Sequence, residues 1–196
     1  MQKTSWQVDS TERLGAIALR AEGQPRLVEA PRGRAVEFAG ASDGLFAQVN
    51  PLEGLQAFTI EIIFRPDPGG LAEQRFFHAG SASGDRALFE TRLNDSGQWY
   101  LDTFISSGNS HCTLLNEGFL HPLGRWYHLA MSCDGREQIN YVDGRLERRG
   151  PVDLTPMGAG ELSIGVRLNR VCWFKGAIAE VHLTPSAVGP EHFSAL

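Results

Sequence analysis

Short stretches in which apolar and polar residues alternate recur along the chain, and they constrain its fold more than any other feature. Such alternation is typical of β-strands, because successive side chains point to opposite faces of a sheet. The eight stretches are RAVEF (34–38), FTIEIIF (58–64), ALFETRL (87–93), WYLDTFI (99–105), YHLAMSC (127–133), QINYV (138–142), LSIGVRL (162–168) and AIAEVHL (177–183). Eight or more strands at this spacing indicate an antiparallel sandwich or barrel.

Turn residues separate these stretches. Asp-Gly occurs at 134–135 and 143–144, where glycine adopts the positive φ that tight turns require. The tail TPSAVGPEHFSAL predicts a short helix at most, since Pro190 stands near a helix start and Glu191 would lie in the first turn. At this length an all-β chain is routinely one domain, so we expect a single domain over residues 1–196.

Charge and hydropathy exclude several classes of partner. The formal net charge is −5, which argues against nucleic-acid binding because that needs a basic surface. No apolar stretch approaches the roughly 20 residues that span a bilayer. The first ten residues contain no apolar export signal, which predicts a cytoplasmic protein, or an extracytoplasmic one if a leader was removed.

The three cysteines are widely spaced and form no CxxC pair. Cys112, Cys133 and Cys172 therefore predict neither a disulfide framework nor a zinc site, and burial as small hydrophobic residues is favoured. One disulfide between two of them stays open and would need an oxidising compartment.

Six segments together resemble a known family. These are GRAVEFAG, FTIEIIFRP, GRWYHLAMSCDG, INYVDGRLE, LSIGVR and FKGAIAEVHLTPSAV. In order and spacing they resemble the laminin G-like domains of the concanavalin A-like lectin/glucanase superfamily, from about Gly33 to the C-terminus. The resemblance implies an all-β, two-sheet antiparallel jelly-roll sandwich with one curved sheet. It also implies that Trp126 is a packing residue, and that the protein binds glycans or other proteins, as most members do.

The hydrolytic machinery of related glucanases is not visible. Those enzymes carry Glu-x-Asp-x-Glu on one strand, because alternate residues face the same groove. The nearest stretch is FETRLND, in which Glu90 is followed by Arg92 and Asn94 instead of carboxylates. We therefore predict no catalytic residues, although a carboxylate pair assembled from distant strands stays open.

The same resemblance raises the question of calcium, which many relatives hold at the rim of the sandwich. The loop FAGASDG (38–44) is similar to the loop of the family that supplies ligands, and Asp43 is the candidate metal ligand. A later segment has Ala179 and Glu180 where the family usually has two acids. We therefore predict no cofactor, with calcium as the alternative.

Strand parity separates core side chains from those available to a ligand. The more apolar parity places Phe89, Thr91 and Leu93 inward on one strand, and Trp99, Leu101, Thr103 and Ile105 inward on the next. The opposite parity places outward Leu88, Glu90, Arg92, Tyr100, Asp102 and Phe104, with His128, Ala130 and Ser132 from a later strand. Tyr141 is ambiguous, because both parities of its strand contain apolar residues.

From this parity we predict a ligand site on the concave sheet. Its residues are Glu90, Arg92, Tyr100, Asp102, His128 and Tyr141. Aromatic rings suit the apolar faces of a sugar, and charged groups suit its hydroxyls. The alternative is that Glu90 and Arg92 only pair across strands, as on any sheet face.

Three functions follow from these patterns. The first is a non-catalytic, lectin-like module that binds an oligosaccharide or polysaccharide. The second is a glycan-cleaving hydrolase or lyase with an unconventional acid pair. The third is a protein-interaction or structural domain.

Overall fold

A computed structural model describes residues 2–195, and it consists of two antiparallel sheets packed face to face. We call the first of them sheet I. Its strands are β1 (Thr4–Gln7), β5 (Arg26–Glu29), β6 (Arg34–Ala39), β8 (Phe58–Pro66), β14 (Tyr127–Cys133), β15 (Glu137–Val142), β16 (Arg145–Pro151) and β18 (Lys175–Thr184). They lie in the order β16-β15-β14-β8-β18-β6-β5, and β1 pairs with the remaining length of β18.

Sheet II also has eight strands. They are β4 (Arg20–Glu22), β7 (Gly44–Ala47), β9 (Glu73–Gly80), β10 (Arg86–Leu93), β11 (Gln98–Ser107), β12 (Ser110–Leu115), β13 (His121–Pro122) and β17 (Glu161–Ile164). Their order is β12-β11-β10-β9-β17-β7-β4, with β13 paired to β11. A small ribbon of β2 (Arg13–Leu14) and β3 (Ile17–Ala18) stands apart. The predicted all-β jelly-roll sandwich is confirmed.

The core lies between the two sheets and is rich in aromatic rings. Phe64 is at its centre, stacked on Phe76 at 4.8 Å and edge-on to Trp99 at 5.1 Å between ring centroids. Trp99 and Tyr127 pack edge to face at 4.9 Å, and both are almost fully buried. Burial of such rings removes a large apolar area from water, which is the main stabilising term in a sandwich.

The inward parity predicted for two strands is confirmed. Phe89 of β10 and Trp99, Leu101 and Ile105 of β11 belong to this core. Thr103 is also buried, and its hydroxyl accepts a hydrogen bond of 2.8 Å from the Gln138 amide on the facing sheet.

Trp126 is a packing residue, as the resemblance implies, but it packs outside the core between the sheets. It lies just before β14 and is only partly buried. Its ring packs on the outer face of sheet I against a small cluster that includes Ala35 and Ile63, under the guanidinium of Arg65 at 5.4 Å. The inward parity of this strand begins one residue later, so Tyr127 takes the core position.

The turn predicted at Asp143-Gly144 joins β15 to β16. Both residues have positive φ, 47° and 74°. The Asp143 carboxylate accepts a hydrogen bond of 2.9 Å from the backbone N–H of His128, which holds the turn against β14. Glycine at 144 adopts this φ without the steric cost that a Cβ would bring.

The tail follows its prediction, and so do two of the three cysteines, whereas Cys172 is only half-buried. A single 3₁₀ turn, Pro190–His192, is the short C-terminal helix, with Pro190 at its start. Cys112 and Cys133 are buried in the core, and all three cysteines are free thiols. Over residues 2–195 there is no helix of the length and hydropathy that crossing a bilayer requires.

Candidate functional site

A grid of charged and aromatic side chains covers part of the outer face of sheet II. Three neighbouring strands build it, because antiparallel pairing places one residue from each strand in the same row. One row is Arg75–Glu90–Asp102, and the next is Glu73–Arg92–Tyr100. A third row is His78–Leu88–Phe104. Four of the six predicted site residues, Glu90, Arg92, Tyr100 and Asp102, therefore lie together.

Ion pairs connect the first two rows. Arg75 Nε lies 2.9 Å from Glu90 Oε1, and Arg92 Nη2 lies 2.8 Å from Asp102 Oδ2 and 3.4 Å from Glu90 Oε2. Glu73 at the strand end pairs with both arginines and is half exposed. Two arginines thus form ion pairs with three carboxylates.

The carboxylates of Glu90 and Asp102 are almost fully buried, at 3% and 2% exposure. Burial is the main cause that raises the pKa of both groups, because it disfavours the charged form. The Asp102 charge raises the pKa of Glu90 further, while Arg75 and Arg92 act against this shift.

Two further arginines border a shallow cavity of about 200 Å³ beside the grid, which we call the charged groove. Its walls are Arg75, Arg86, Leu88, Glu90, Arg92, Asp102, Phe104, Thr113 and Arg167. Arg86 lies over the Phe104 ring at 4.9 Å and donates to the Gly84 carbonyl at 2.6 Å. Arg167 donates to the Ala82 carbonyl at 3.5 Å, so both are anchored by the loop at 81–85.

The positive charge of the groove acts on His78, which is fully buried beneath it. Burial and the positive charges of Arg167, Arg86 and Arg75 lower the pKa of His78 to about 4. A hydrogen bond to the Ser81 carbonyl acts in the opposite direction and is outweighed. His78 is therefore neutral near pH 7.

Tyr100 lies in the second row of the grid, opposite Arg92. Its ring is partly buried, and its hydroxyl donates to Glu117 Oε1 at 3.4 Å. Together with Phe104 it gives this face two aromatic rings on the same strand, one on each side of Asp102 in the outward parity.

The expectation that His128 and Tyr141 share this groove is wrong. His128 is on β14 and Tyr141 on β15, and both strands belong to sheet I. Their side chains face outward from the opposite side of the sandwich. His128 is only 4% exposed, and Phe193 of the C-terminal tail packs against both rings, at 5.3 Å and 5.2 Å.

His128 belongs instead to a buried polar cluster around Glu61. Glu61 Oε2 accepts hydrogen bonds from His128 Nε2 at 2.9 Å and from the backbone N–H of Ser194 at 2.6 Å, while Lys3 binds Oε1. These hydrogen bonds outweigh burial and lower the pKa of Glu61 to about 2. The cluster ties both ends of the described chain to sheet I.

Sequence reasoning missed the arginines at 75, 86 and 167. Arg75 lies beside a bulge, at which the pairing of β9 with β10 shifts and both Phe76 and Phe77 enter the core. Arg167 reaches the groove from the loop after β17. A signal for Arg86 was present, since it has the same parity as Glu90 on one strand.

Asp43 has a role in holding the backbone. Its two carboxylate oxygens accept hydrogen bonds of 2.8 Å from the backbone N–H groups of Gln24 and Ala39. It is 5% exposed. Within residues 2–195, no three His, Cys, Asp or Glu side chains are grouped so that they could hold a metal ion.

A family comparison agrees with this architecture. A sequence profile of the laminin G type, described as concanavalin A-like lectin/glucanases superfamily, matches residues 39–192. The chain belongs to this superfamily. Among curated protein sequences, none matches it.

Several solved structures share this fold at low identity. Domain 4 of AbnA, a GH43 extracellular arabinanase from Geobacillus stearothermophilus solved with arabinotriose, superposes with a TM-score of 0.69 at 19% identity, covering 95% of this chain and 93% of that one. The binding domain of botulinum neurotoxin DC, solved with SialylT, superposes with a TM-score of 0.68 at 10% identity. That match covers 96% of this chain and 49% of the toxin chain. A heptameric SAP-like pentraxin from Limulus polyphemus superposes with a TM-score of 0.62 at 15% identity, and the match covers 80% of this chain and 77% of the pentraxin chain.

Proposed function

We propose that the protein is a lectin-like recognition module that binds an oligosaccharide in the charged groove of sheet II. The observation that carries this proposal is the row Arg75–Glu90–Asp102 beside the Phe104 ring. Fixed guanidinium donors match sugar hydroxyls, and an aromatic ring matches the apolar C–H face of a sugar.

Rigidity of the groove supports the same function. Arg75 and Arg92 are held by buried carboxylates, and Arg86 is held by a backbone carbonyl and the Phe104 ring. Side chains that are already ordered lose little entropy when a ligand binds. Two structural neighbours were solved in complex with arabinotriose and with SialylT, and this likeness of fold is a secondary support.

A binding assay with matched variants tests the proposal. The full chain is applied to an oligosaccharide array, and the affinity for each positive sugar is measured by calorimetry. Phe104→Ala is expected to weaken binding at least tenfold, whereas Tyr141→Ala, an aromatic truncation on the outer face of sheet I, should leave it unchanged. Absence of binding to every saccharide, or a loss limited to Tyr141→Ala, would contradict the proposal.

A second candidate function is cleavage of a glycan. Glu90 and Asp102 are directly opposite each other on adjacent strands, and both have a raised pKa. Retaining glycosidases use two nearby carboxyl groups, one of them an acid with a raised pKa. Both groups here are engaged by arginines and nearly inaccessible, which favours recognition. Release of reducing ends from a bound sugar, lost in Glu90→Gln, would establish the enzyme instead.

A further inference from the structure

The charges lining the groove do not balance, and the excess is positive. Arg75 and Arg92 form the ion pairs with all three carboxylates of the grid, which are Glu73, Glu90 and Asp102. Within residues 2–195, Arg86 and Arg167 have no carboxylate at ion-pair distance, and their only hydrogen-bonded partners are backbone carbonyls of the 81–85 loop. Two guanidinium groups with spare donors therefore face one cavity.

The two arginines also repel each other. After burial, the charge of Arg167 is the largest cause that lowers the pKa of Arg86, while Glu90 and Asp85 act more weakly in the opposite direction. The Asp85 carboxylate is engaged with the backbone N–H of Gly108 at 2.8 Å. The Nε atoms of Arg86 and Arg167 are buried and have no hydrogen-bond partner among the described residues. Partly desolvated like charges are unfavourable unless an anion neutralises them.

A cluster of positive charges is unusual in a chain with this net charge. The chain has 23 acidic and 18 basic side chains and a net charge of −5, so a cluster of four arginines does not follow from composition. Arginine suits anionic oxygen groups because its planar fork donates two parallel hydrogen bonds to a carboxylate or a sulfate.

We infer that the ligand of the charged groove is an acidic oligosaccharide whose carboxylate or sulfate group binds between Arg86 and Arg167. This inference rests on the proposed function and specifies the class of sugar. The Phe104 ring beneath Arg86 contacts the neutral part of the same ligand, together with Arg92, which Glu90 and Asp102 hold in place.

Paired acidic and neutral probes test this inference on the full chain. The probes are hexagalacturonate and hexamannuronate, each compared by calorimetry with its carboxyl-reduced counterpart, and a carrageenan hexasaccharide, which carries sulfate but no carboxylate, compared with its desulfated counterpart. At least one acidic probe should bind ten times more tightly than its neutral counterpart, and the two uronates distinguish a carboxylate from a sulfate. Binding should weaken as ionic strength rises, because salt screens exposed charges.

Single substitutions test whether the preference for acidic probes comes from the groove arginines. Arg86→Gln and Arg167→Gln should each weaken binding of the acidic probe about tenfold and remove most of its advantage over the neutral counterpart. Arg26→Gln, which removes the same charge from an exposed arginine on sheet I, is the matched control and should have no effect. Melting temperatures confirm that each variant is folded.

The outcomes separate this inference from the proposed function. If neutral probes bind as well as acidic ones, or if Arg26→Gln weakens binding as much as the groove variants, the acidic-ligand inference is wrong and saccharide recognition stands. If no saccharide of either kind binds at millimolar concentration, saccharide recognition itself is wrong.

Discussion

Arg92 holds Asp102 through two nitrogens that approach the same carboxylate oxygen. Nε donates a hydrogen bond to Oδ2 at 2.9 Å, and Nη2 lies 2.8 Å from that oxygen. Asp102 is 2% exposed, and its Oδ1 has no hydrogen-bond partner among the described residues. The carboxylate therefore depends on Arg92 for its charge compensation.

Removing Arg92 should be costly because it leaves a buried charge without a partner. Arg92→Met is expected to lower the free energy of unfolding by about 3 kcal/mol, the lower end of the range for breaking a buried ion pair. Arg86→Met leaves no carboxylate unpaired and relieves repulsion with Arg167, so losing its hydrogen bond to Gly84 should cost no more than about 1 kcal/mol. Urea denaturation measures both. Adding Asp102→Asn to Arg92→Met should recover part of the lost stability. Equal losses of stability in Arg92→Met and Arg86→Met would contradict the role of Arg92 in compensating the Asp102 charge.

The two tryptophans at 99 and 126 should differ in their contribution to stability. Trp99 packs at the centre of the core, and its indole N–H donates to the Pro122 carbonyl at 3.2 Å. Trp99→Ala is expected to cost about 3–5 kcal/mol, as for other buried aromatic truncations. Trp126→Ala should cost about 1–2 kcal/mol because that ring is half-buried on the outer face. Chemical denaturation would contradict the assignment if the order were reversed.

Strands β10, β11 and β14 show which features of the fold the sequence predicts and which it does not. Alternation correctly separated Glu90 and Asp102 from the core residues Phe89 and Leu101, because parity is a local property of a strand. It could not place His128, because sheet membership in a jelly roll depends on which distant strands pair. β14 pairs with β8, about 65 residues earlier in the chain, and so belongs to sheet I.

The arginines of the groove show a second limit. The bulge in β9 puts two successive phenylalanines, Phe76 and Phe77, into the core, so alternation fails next to Arg75. Arg167 comes from a loop, to which periodicity does not apply. Residues that depend on bulges and loops require the three-dimensional structure.

Acid should destabilise the protein through Glu61. Its pKa is lowered from 4.5 to about 2 by hydrogen bonds from His128, Lys3 and the Ser194 backbone. A carboxyl group with a lowered pKa stabilises the folded state above its unfolded pKa, and that contribution is lost as the pH falls. A contribution on the order of 3 kcal/mol, mostly lost between about pH 4.5 and pH 2, is expected from the shift.

Comparison with Glu61→Gln isolates this effect. The stability difference between wild type and variant, measured by urea denaturation at several pH values, should be largest above about pH 5 and should shrink below pH 4.5. Glu90 and Asp102 have raised pKa values and titrate in both proteins, so their contribution cancels in the difference. A difference that does not change with pH would contradict the assigned pKa of Glu61.

Thiol reactivity should distinguish the three cysteines. Burial raises the pKa of the Cys112 and Cys133 thiols, the latter to about 11, and both are in the core. Cys172 is half-buried in the loop before β18. Because the thiolate is the reactive form, Ellman's reagent should modify at most one thiol in the native protein and all three after unfolding. Cys172→Ser should abolish the native reaction, and rapid modification of two thiols would show that the core is open.

The most direct test of saccharide recognition is to map a bound sugar on the two outer faces. Backbone amide shifts are recorded by NMR while the best-binding oligosaccharide is added to the full chain. We expect the largest changes at Arg75, Glu90, Asp102 and Phe104 on sheet II, and little change at Glu61, His128 and Tyr141 on sheet I. Changes concentrated around His128 and Tyr141, with the charged groove unaffected, would contradict the assignment of this groove as the binding site.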